Sequence, residues 1–353
     1  MRIVALNAGS SSLKAAVRDR VGGEPSLRVH AERVGTPGAR LIVGEEAREL
    51  DEHTWDAAVA AVVEEIERRA SGPDVVVHRV VHGGPHHRRP VRIDDAVVAQ
   101  LHDARRLAPL HQPLALKVIA AARLAWPEAT HVACFDTGFH AELPEEAQRL
   151  PVSDTLRSLG IRRYGFHGLS VQSVLAARPE LVNVVVAHLG NGCSVTAVGP
   201  DRRPRHTSMS FSPDSGMVSS TRSGDLDPEI LLYLIDEHGY STAELREELN
   251  HRAGLSGISG GVADVRDLTA STDPAAGLAV DIFVSSAAMA VAAAATTLDP
   301  WRSLVFTGGT GEHRDDLRRR ICDRLRLGDD VEVMVVPADE ELVMDQQARQ
   351  LLG

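Results

Sequence analysis

The sequence predicts an α/β protein built from two similar halves. Three observations carry that expectation. Segments with the composition of strands alternate with segments of helical pattern along the whole chain. A strand, a glycine turn and a second strand recur: residues 3–17 read IVALNAGSSSLKAAV and residues 184–198 read VVVAHLGNGCSVTAV. The length, 353 residues, exceeds what one hydrophobic core comfortably organises. Two related halves, each opening with a glycine hairpin, suggest a duplicated domain with a ligand in the cleft between them.

Taken in order, strand formers around a Gly/Ser turn predict a hairpin over residues 2–6 and 12–17. A helix is predicted over 53–70, then a valine-rich strand over 75–81 that contains one arginine. Helices over 94–106 and 112–125 lead to a strand over 131–135. The second half begins with strands over 182–188 and 193–198, followed by helices over 227–237, 242–250 and 273–298. Ser241 and Glu244 form a capping box for the middle one. A strand over 303–307, a helix over 314–325, a strand over 331–336 and a helix over 339–351 complete the chain. The stretch 282–298 is uncharged, which raises the question of a membrane span. It is rich in alanine and short for a span, and Asp273 with Pro274 supplies a helix cap and first turn, so a buried helix is expected.

Hydrophobic content of 43% and charged content of 25% are ordinary for a globular protein. A net charge of -11 without a basic face argues against a nucleic-acid partner. Cys134, Cys193 and Cys322 are odd in number and widely spaced, so neither a disulfide framework nor a zinc site is expected, and a reducing compartment fits. The first residues show no basic segment followed by a long apolar run, so no signal peptide and no membrane partner are expected; the expected location is cytoplasmic.

Several segments carry candidate chemistry. In LNAGSSSLK (6–14), Gly9 allows close backbone approach, the serines and turn amides can donate to phosphate oxygens, and Lys14 adds a point charge. Asn7 offers an oxygen to a metal ion or its water shell. The pattern is not a Walker A loop, and an ordinary hairpin turn is the plain alternative. Arg79 in VVVHRVVHGG is a charge among valines, expensive to bury alone; it faces either an anion or a structural carboxylate. His86 and His87 nearby lack a metal-site spacing and are expected to be solvated. Asp136 ends a strand in CFDTGFH, a position suited to metal and phosphate, or to turn capping. His167 sits between Gly165 and Gly168, which let the chain turn sharply and present an imidazole. TRSGDLDP (221–228) carries Arg222 before a helix, and FTGGTGE (306–312) reads as strand, glycine turn, helix, open to a nucleotide. Glu340 and Glu341 open the last helix, where acidic residues usually partner the dipole, though one could reach a cation.

Together these segments resemble the acetate/butyrate kinase family. The resemblance runs in order from Leu6 to about Ala348 through NAGSSSLK, HRVVHGG, LAPLH, FDTGFH, RYGFHG, HLGNGCSV, TRSGDLDP, GISG…ADVRD, FTGGTGE and PADEEL. No single motif is decisive; their ordered conjunction is. The resemblance implies the actin/Hsp70/sugar-kinase superfamily fold: two duplicated actin-like (ribonuclease H-like) α/β domains with an interdomain active-site cleft. It implies a first domain over 1–136 plus 340–353, on the carboxylate side, and a nucleotide-binding domain over 137–339. The implied activity is reversible, Mg²⁺-dependent transfer of the ATP γ-phosphoryl group to acetate, with Mn²⁺ as a possible substitute, in a homodimer.

The family roles fall on matching positions. Asn7 and Glu340 would contact Mg²⁺, and Lys14 the nucleotide. Arg79 would bind the substrate carboxylate, Asp136 would be the catalytic acidic residue, and His167 and Arg222 would stabilise the transition state. His188, Leu189, Gly190, Asn191 and Gly192, then Asp264, Val265 and Arg266, then Gly308, Gly309, Thr310, Gly311 and Glu312 would hold ATP. Val81, Leu110, Phe166 and Pro213 would form an acyl pocket sized for a methyl group. The physics agrees. Acetate is already a nucleophile as its carboxylate, so the task is to bring two anions together and stabilise the charge on a phosphoryl group in flight. Asp136 then organises metal or water rather than removing a proton, and direct in-line transfer is expected.

The chain also departs from the family pattern. It is shorter between the first hairpin and Val75. Gln112 stands where asparagine is usual, and Leu169-Ser170-Val171 where Thr-Ser-His is usual. Ser210 replaces glycine, Asp214-Ser215 replaces Leu-Glu, and Val218-Ser219-Ser220 replaces Met-Met-Gly. Thr310 and His313 alter the usual GGIGEN. These bear on turnover, acyl preference and donor choice, so a propionate or butyrate kinase, or a donor other than ATP, is the alternative. An actin-like ATP-binding interaction module is the alternative from another class; it has no need for a carboxylate clamp.

Overall fold

The computed structural model describes residues 1–328 and 330–353. The chain packs as two units, one of Met1–Ala141 with Asp339–Gly353, the other of Glu142–Ala338.

The first unit is built on β1 (Ile3–Ala8), β2 (Ser12–Arg18), β3 (Leu27–Glu32), β4 (Arg40–Val43), β5 (Glu46–Glu49), β6 (Val75–Val80), β7 (Val91–Arg92) and β8 (Thr130–Phe135), in the order β5-β4-β3-β2-β1-β6-β8-β7. β1 pairs with β2 through the predicted hairpin, and with β6 in parallel; β6 pairs with β8 in parallel. The carboxyl ends of three parallel strands therefore share one edge, where ligands of open α/β sheets bind. Asn7 lies near the end of β1, Arg79 near the end of β6, and Asp136 directly after β8. Val4, Leu6, Val17, Val29 and Leu41 of the sheet form one core with Ala58, Val62 and Ile66 of helix Trp55–Arg69. The last helix, Glu340–Leu352, returns to β1, β6 and β8, and its N-cap Asp339 is gripped at 2.9 Å by the buried Arg18 of β2.

The second unit contains β9 (Val184–Leu189), β10 (Cys193–Val198), β11 (Pro204–Thr207), β12 (Ser303–Thr307) and β13 (Glu332–Val335), in the order β11-β10-β9-β12-β13. Each pairing here has the direction of its counterpart in β3-β2-β1-β6-β8: two antiparallel steps, then two parallel ones. Helix Pro274–Ala295 begins at the predicted Asp273 cap, which accepts a hydrogen bond from the Ala275 amide at 2.8 Å. It is long and apolar enough to cross a membrane. In the fold, Val280, Phe283, Val284, Ala287 and Val291 bury its inner face against Val185, Ala187, Leu304 and Phe306 of the sheet.

The structure adds elements that the sequence reading lacked. β3, β4 and β5 extend the first sheet outward; β5 is Glu-Ala-Arg-Glu, wholly exposed, and such charged edges blunt unwanted pairing while carrying no apolar signal. Helix Gly168–Ala177, with glycine at its start and serines inside, has mostly buried residues on all sides and so no amphipathic stripe. The glycine run of 308–311, read as a turn, is already helical in Gly308–His313. His87 is not solvated: its ring stacks on Phe135 at 5.3 Å, and burial holds the imidazole below its usual pKa.

Candidate active site

At the carboxyl edge of the first sheet, one guanidinium organises the surrounding acids. Arg79 donates from Nε to Asp136 at 3.0 Å and from Nη2 at 2.7 Å, a two-pronged grip. Its Nη1 donates to Asn7 Oδ1 at 3.0 Å and lies 3.3 Å from Glu340. The Asn7 amide donates in turn to Glu340 at 2.9 Å and to Glu341 at 2.6 Å. Arg79 thus pairs with a carboxylate of its own sheet edge, Asp136. Glu341, the second member of the acidic pair, is buried and part of the same network; nothing in a first-turn acidic pair indicates which member turns inward.

Three carboxylates around one cation leave the cluster short of positive charge. Burial alone would lower the Arg79 pKa, but Asp136 and Glu340 raise it, so Arg79 is firmly charged. Burial pushes the Asp136 carboxyl up to about 6; Arg79 opposes that shift and Glu340 reinforces it. The two partners differ because Asp136 is fully enclosed while its guanidinium is shared. Among the described residues no three His, Cys, Asp or Glu side chains form a ready metal cage. Hard oxygens from Glu340 and Asn7 nevertheless suit a magnesium ion, which keeps most of its own waters. Lys14 is the register partner of Asn7 across the hairpin, and its side chain is exposed. Val81 is buried just beyond β6, and Leu110 is half-buried before helix Gln112–Ala125. Gln112 is buried and donates to the carbonyls of His82 at 3.2 Å and Leu101 at 3.4 Å.

In the second unit, His167 caps helix Gly168–Ala177 in a left-handed conformation, φ 58°. Its ring stacks on His188 at 4.4 Å, and its Nδ1 shares a hydrogen bond with Ser194 at 3.0 Å. Ser170 holds His188 Nδ1 at 2.8 Å. Arg222 joins this group across Gly192: a Cβ on Gly192 would stand 2.7 Å from Arg222 Nη1 and 3.4 Å from the His167 ring, so a side chain there would push the guanidinium from its present place. Gly254, at φ 63°, packs against the backbone of the same segment, where a Cβ would stand 2.3 Å from the Ser219 carbonyl oxygen and 2.6 Å from the Arg222 amide nitrogen. Arg222 Nη1 donates to the Pro213 carbonyl at 3.1 Å, and its Nε lies 3.2 Å from Asp214. Phe166 and Pro213 are buried in this unit, whereas Val81 and Leu110 belong to the first.

The proposed nucleotide residues are partly assembled. Parallel pairing sets Thr307 beside His188, which brings the 188–192 turn to Gly308–Gly311. Gly308, at φ 78°, has Leu189 O where a Cβ would stand at 2.7 Å, and Gly309 faces open space. Glu312 accepts from the Gly308 amide at 3.0 Å and from the Ala338 amide at 3.1 Å, a tether rather than a free acid. Asp264 caps helix Val265–Ala270 and pairs with Arg266; Arg314 ties that helix, through the Val265 carbonyl at 3.5 Å, to the end of the glycine segment.

The raised Asp136 pKa has a measurable sign. The folded carboxyl binds its proton more tightly than the unfolded one, so its stabilising contribution is present below the ordinary carboxylate range and lost as pH rises through about 6. Urea unfolding between about pH 4 and 6 should show the wild type losing stability relative to Asp136→Asn as pH increases. Parallel pH dependence in the two proteins would contradict the assignment.

The acetokinase family model matches residues 2–347. The acetate kinase of Deinococcus radiodurans is 39% identical over 342 residues, covering 92% of this chain and 86% of that protein. That of Deinococcus deserti is 37% identical over 394 residues, covering 100% of this chain and 98% of its own. Among solved structures, a propionate kinase from Francisella tularensis superposes with a TM-score of 0.88 at 30% identity, covering 98% of each chain. The acetate kinase of Porphyromonas gingivalis does so with a TM-score of 0.84 at 29% identity, covering 100% of each. With the ordered motifs and both clusters in place, the chain belongs to the acetokinase family of phosphotransferases.

Proposed function

We propose that this protein transfers the γ-phosphoryl group of Mg²⁺-bound ATP to acetate, reversibly, giving acetyl phosphate and ADP. The observation that carries the reading is the Arg79–Asp136–Asn7–Glu340 network at the carboxyl edge of a parallel sheet, within a chain of this family. Arg79 is held on three sides, and its Nη2 has a second hydrogen to offer a substrate carboxylate. Acetate attacks through a carboxylate oxygen, so Asp136 removes no proton; it fixes Arg79. Mg²⁺ held by Glu340 and Asn7 would offset charge on the phosphates. Arg222 and His167, side by side over Gly192, offer donors to the equatorial oxygens of the phosphoryl group. The segments 188–192, 264–266 and 308–312 serve the nucleotide, with Lys14 reaching toward it. The reaction needs Arg79 on the substrate carboxylate and Arg222 on the moving phosphoryl group.

The common strand order of the two sheets supports a duplicated actin-like, ribonuclease H-like architecture. The apolar character of Val81, Leu110, Phe166 and Pro213 agrees with a small acyl group as substrate. Propionate is the second reading, favoured by the likeness to a propionate kinase. Three free cysteines agree with work in a reducing cytoplasm. We also propose a homodimer through helix Pro228–His238, which buries none of its residues and exposes Ile230, Leu232, Tyr233 and Ile235.

Protein, Mg-ATP and a carboxylate with hydroxylamine should yield acyl hydroxamate, with acetate and propionate ahead of butyrate. Folded protein that gives no more than a heat-killed control would refute the activity. Sedimentation should report a dimer that Leu232→Glu converts to monomer; a monomeric wild type would exclude the interface.

A further inference from the structure

We infer that Asp214 is a positioning residue whose negative charge fixes the Arg222 guanidinium for phosphoryl transfer. The inference rests on the reading above, in which Arg222 stabilises the moving phosphoryl group. Both partners are largely withdrawn from water, with side chains 11% exposed for Arg222 and 24% for Asp214. Asp214 Oδ1 stands 3.2 Å from Arg222 Nε, yet it is buried and accepts no hydrogen bond. The contact is therefore an attraction between charges rather than a shaped hydrogen bond. Burial pushes the Asp214 carboxyl up, while Arg222 and, less strongly, His251 draw it back. The preceding residue completes the hold, since the Pro213 carbonyl accepts from Nη1 at 3.1 Å. One short segment thus grips opposite ends of the guanidinium.

That segment is itself braced, and by residues at which the chain departs from its family. Ser215 Oγ accepts from the Ser210 amide at 2.7 Å and donates to the Ser212 carbonyl at 2.8 Å. Ser212 Oγ accepts from the Asp214 amide at 3.3 Å, and the Gly216 amide donates to Asp225 at 2.8 Å. Asp214 therefore projects from a closed turn. A long arginine side chain has many rotamers, and only some of them lay Nη1 against Gly192 beside His167. Displacing a catalytic group by about 1 Å can cost about 10²-fold in rate.

Three variants test this in the full-length protein, with kcat and KM measured for acetate and for ATP. Asp214→Asn keeps size and removes charge; it should lower kcat by about 10–100-fold and leave the acetate KM within about twofold. Asp214→Glu restores the charge at the cost of a methylene and should return kcat to within about threefold of wild type. A merely structural role predicts the reverse order, with isosteric Asn harmless and the larger Glu harmful. Thermal unfolding checks that each variant is folded. Arg222→Ala separates the two claims and should lose about 10³-fold in kcat. Wild-type turnover in Arg222→Ala removes the reading and the inference together. Loss there, with Asp214→Asn at wild-type turnover or Asp214→Glu no better than Asn, overturns the inference alone.

Discussion

The first unit depends on how one buried guanidinium is shared. Arg79 would be untenable in a valine strand without anions, and Asp136 untenable without a cation. Each needs the other, yet Arg79 also serves Asn7 and Glu340, so no carboxylate has it to itself. The result is a rigid arginine with an acidic surround that still attracts positive charge. The reaction proposed above, which brings a carboxylate next to a magnesium–phosphate complex, has both needs at once.

The fold supplies that arrangement from distant parts of the chain. Parallel pairing of β1, β6 and β8 aligns the strand ends that bear Asn7, Arg79 and Asp136. The glutamates arrive from the far end of the sequence, on a helix whose cap, Asp339, is locked to Arg18 of β2. The second unit repeats the sheet order but carries a different cluster, in which Arg222 lies against Gly192 beside two stacked histidines. Equivalent topology thus carries unlike chemistry, determined by what stands at the strand ends.

Much of this was legible because it is local. The hairpin of residues 3–17, the Asp273 cap and the Ser241–Glu244 capping box are written in adjacent residues, and the structure has all three. The ordered motifs identified the family. What escaped was non-local or without apolar contrast: the exposed strand β5, the uniformly buried helix Gly168–Ala177, and the inward turn of Glu341 toward Asn7. Asp214 stood out as a departure from the family pattern, but its attachment to Arg222 depends on a turn closed by three serines, which no linear spacing reveals.

The fork of Arg79, and not its charge alone, holds Asp136 and Asn7 together at the sheet edge. Arg79→Lys keeps the charge and removes the two-pronged grip on Asp136 together with the reach to Asn7. Its kcat/KM for acetate should fall by at least about 100-fold, while thermal unfolding stays close to wild type because Asp136 retains a cation. Turnover within about threefold of wild type in that variant would contradict the account.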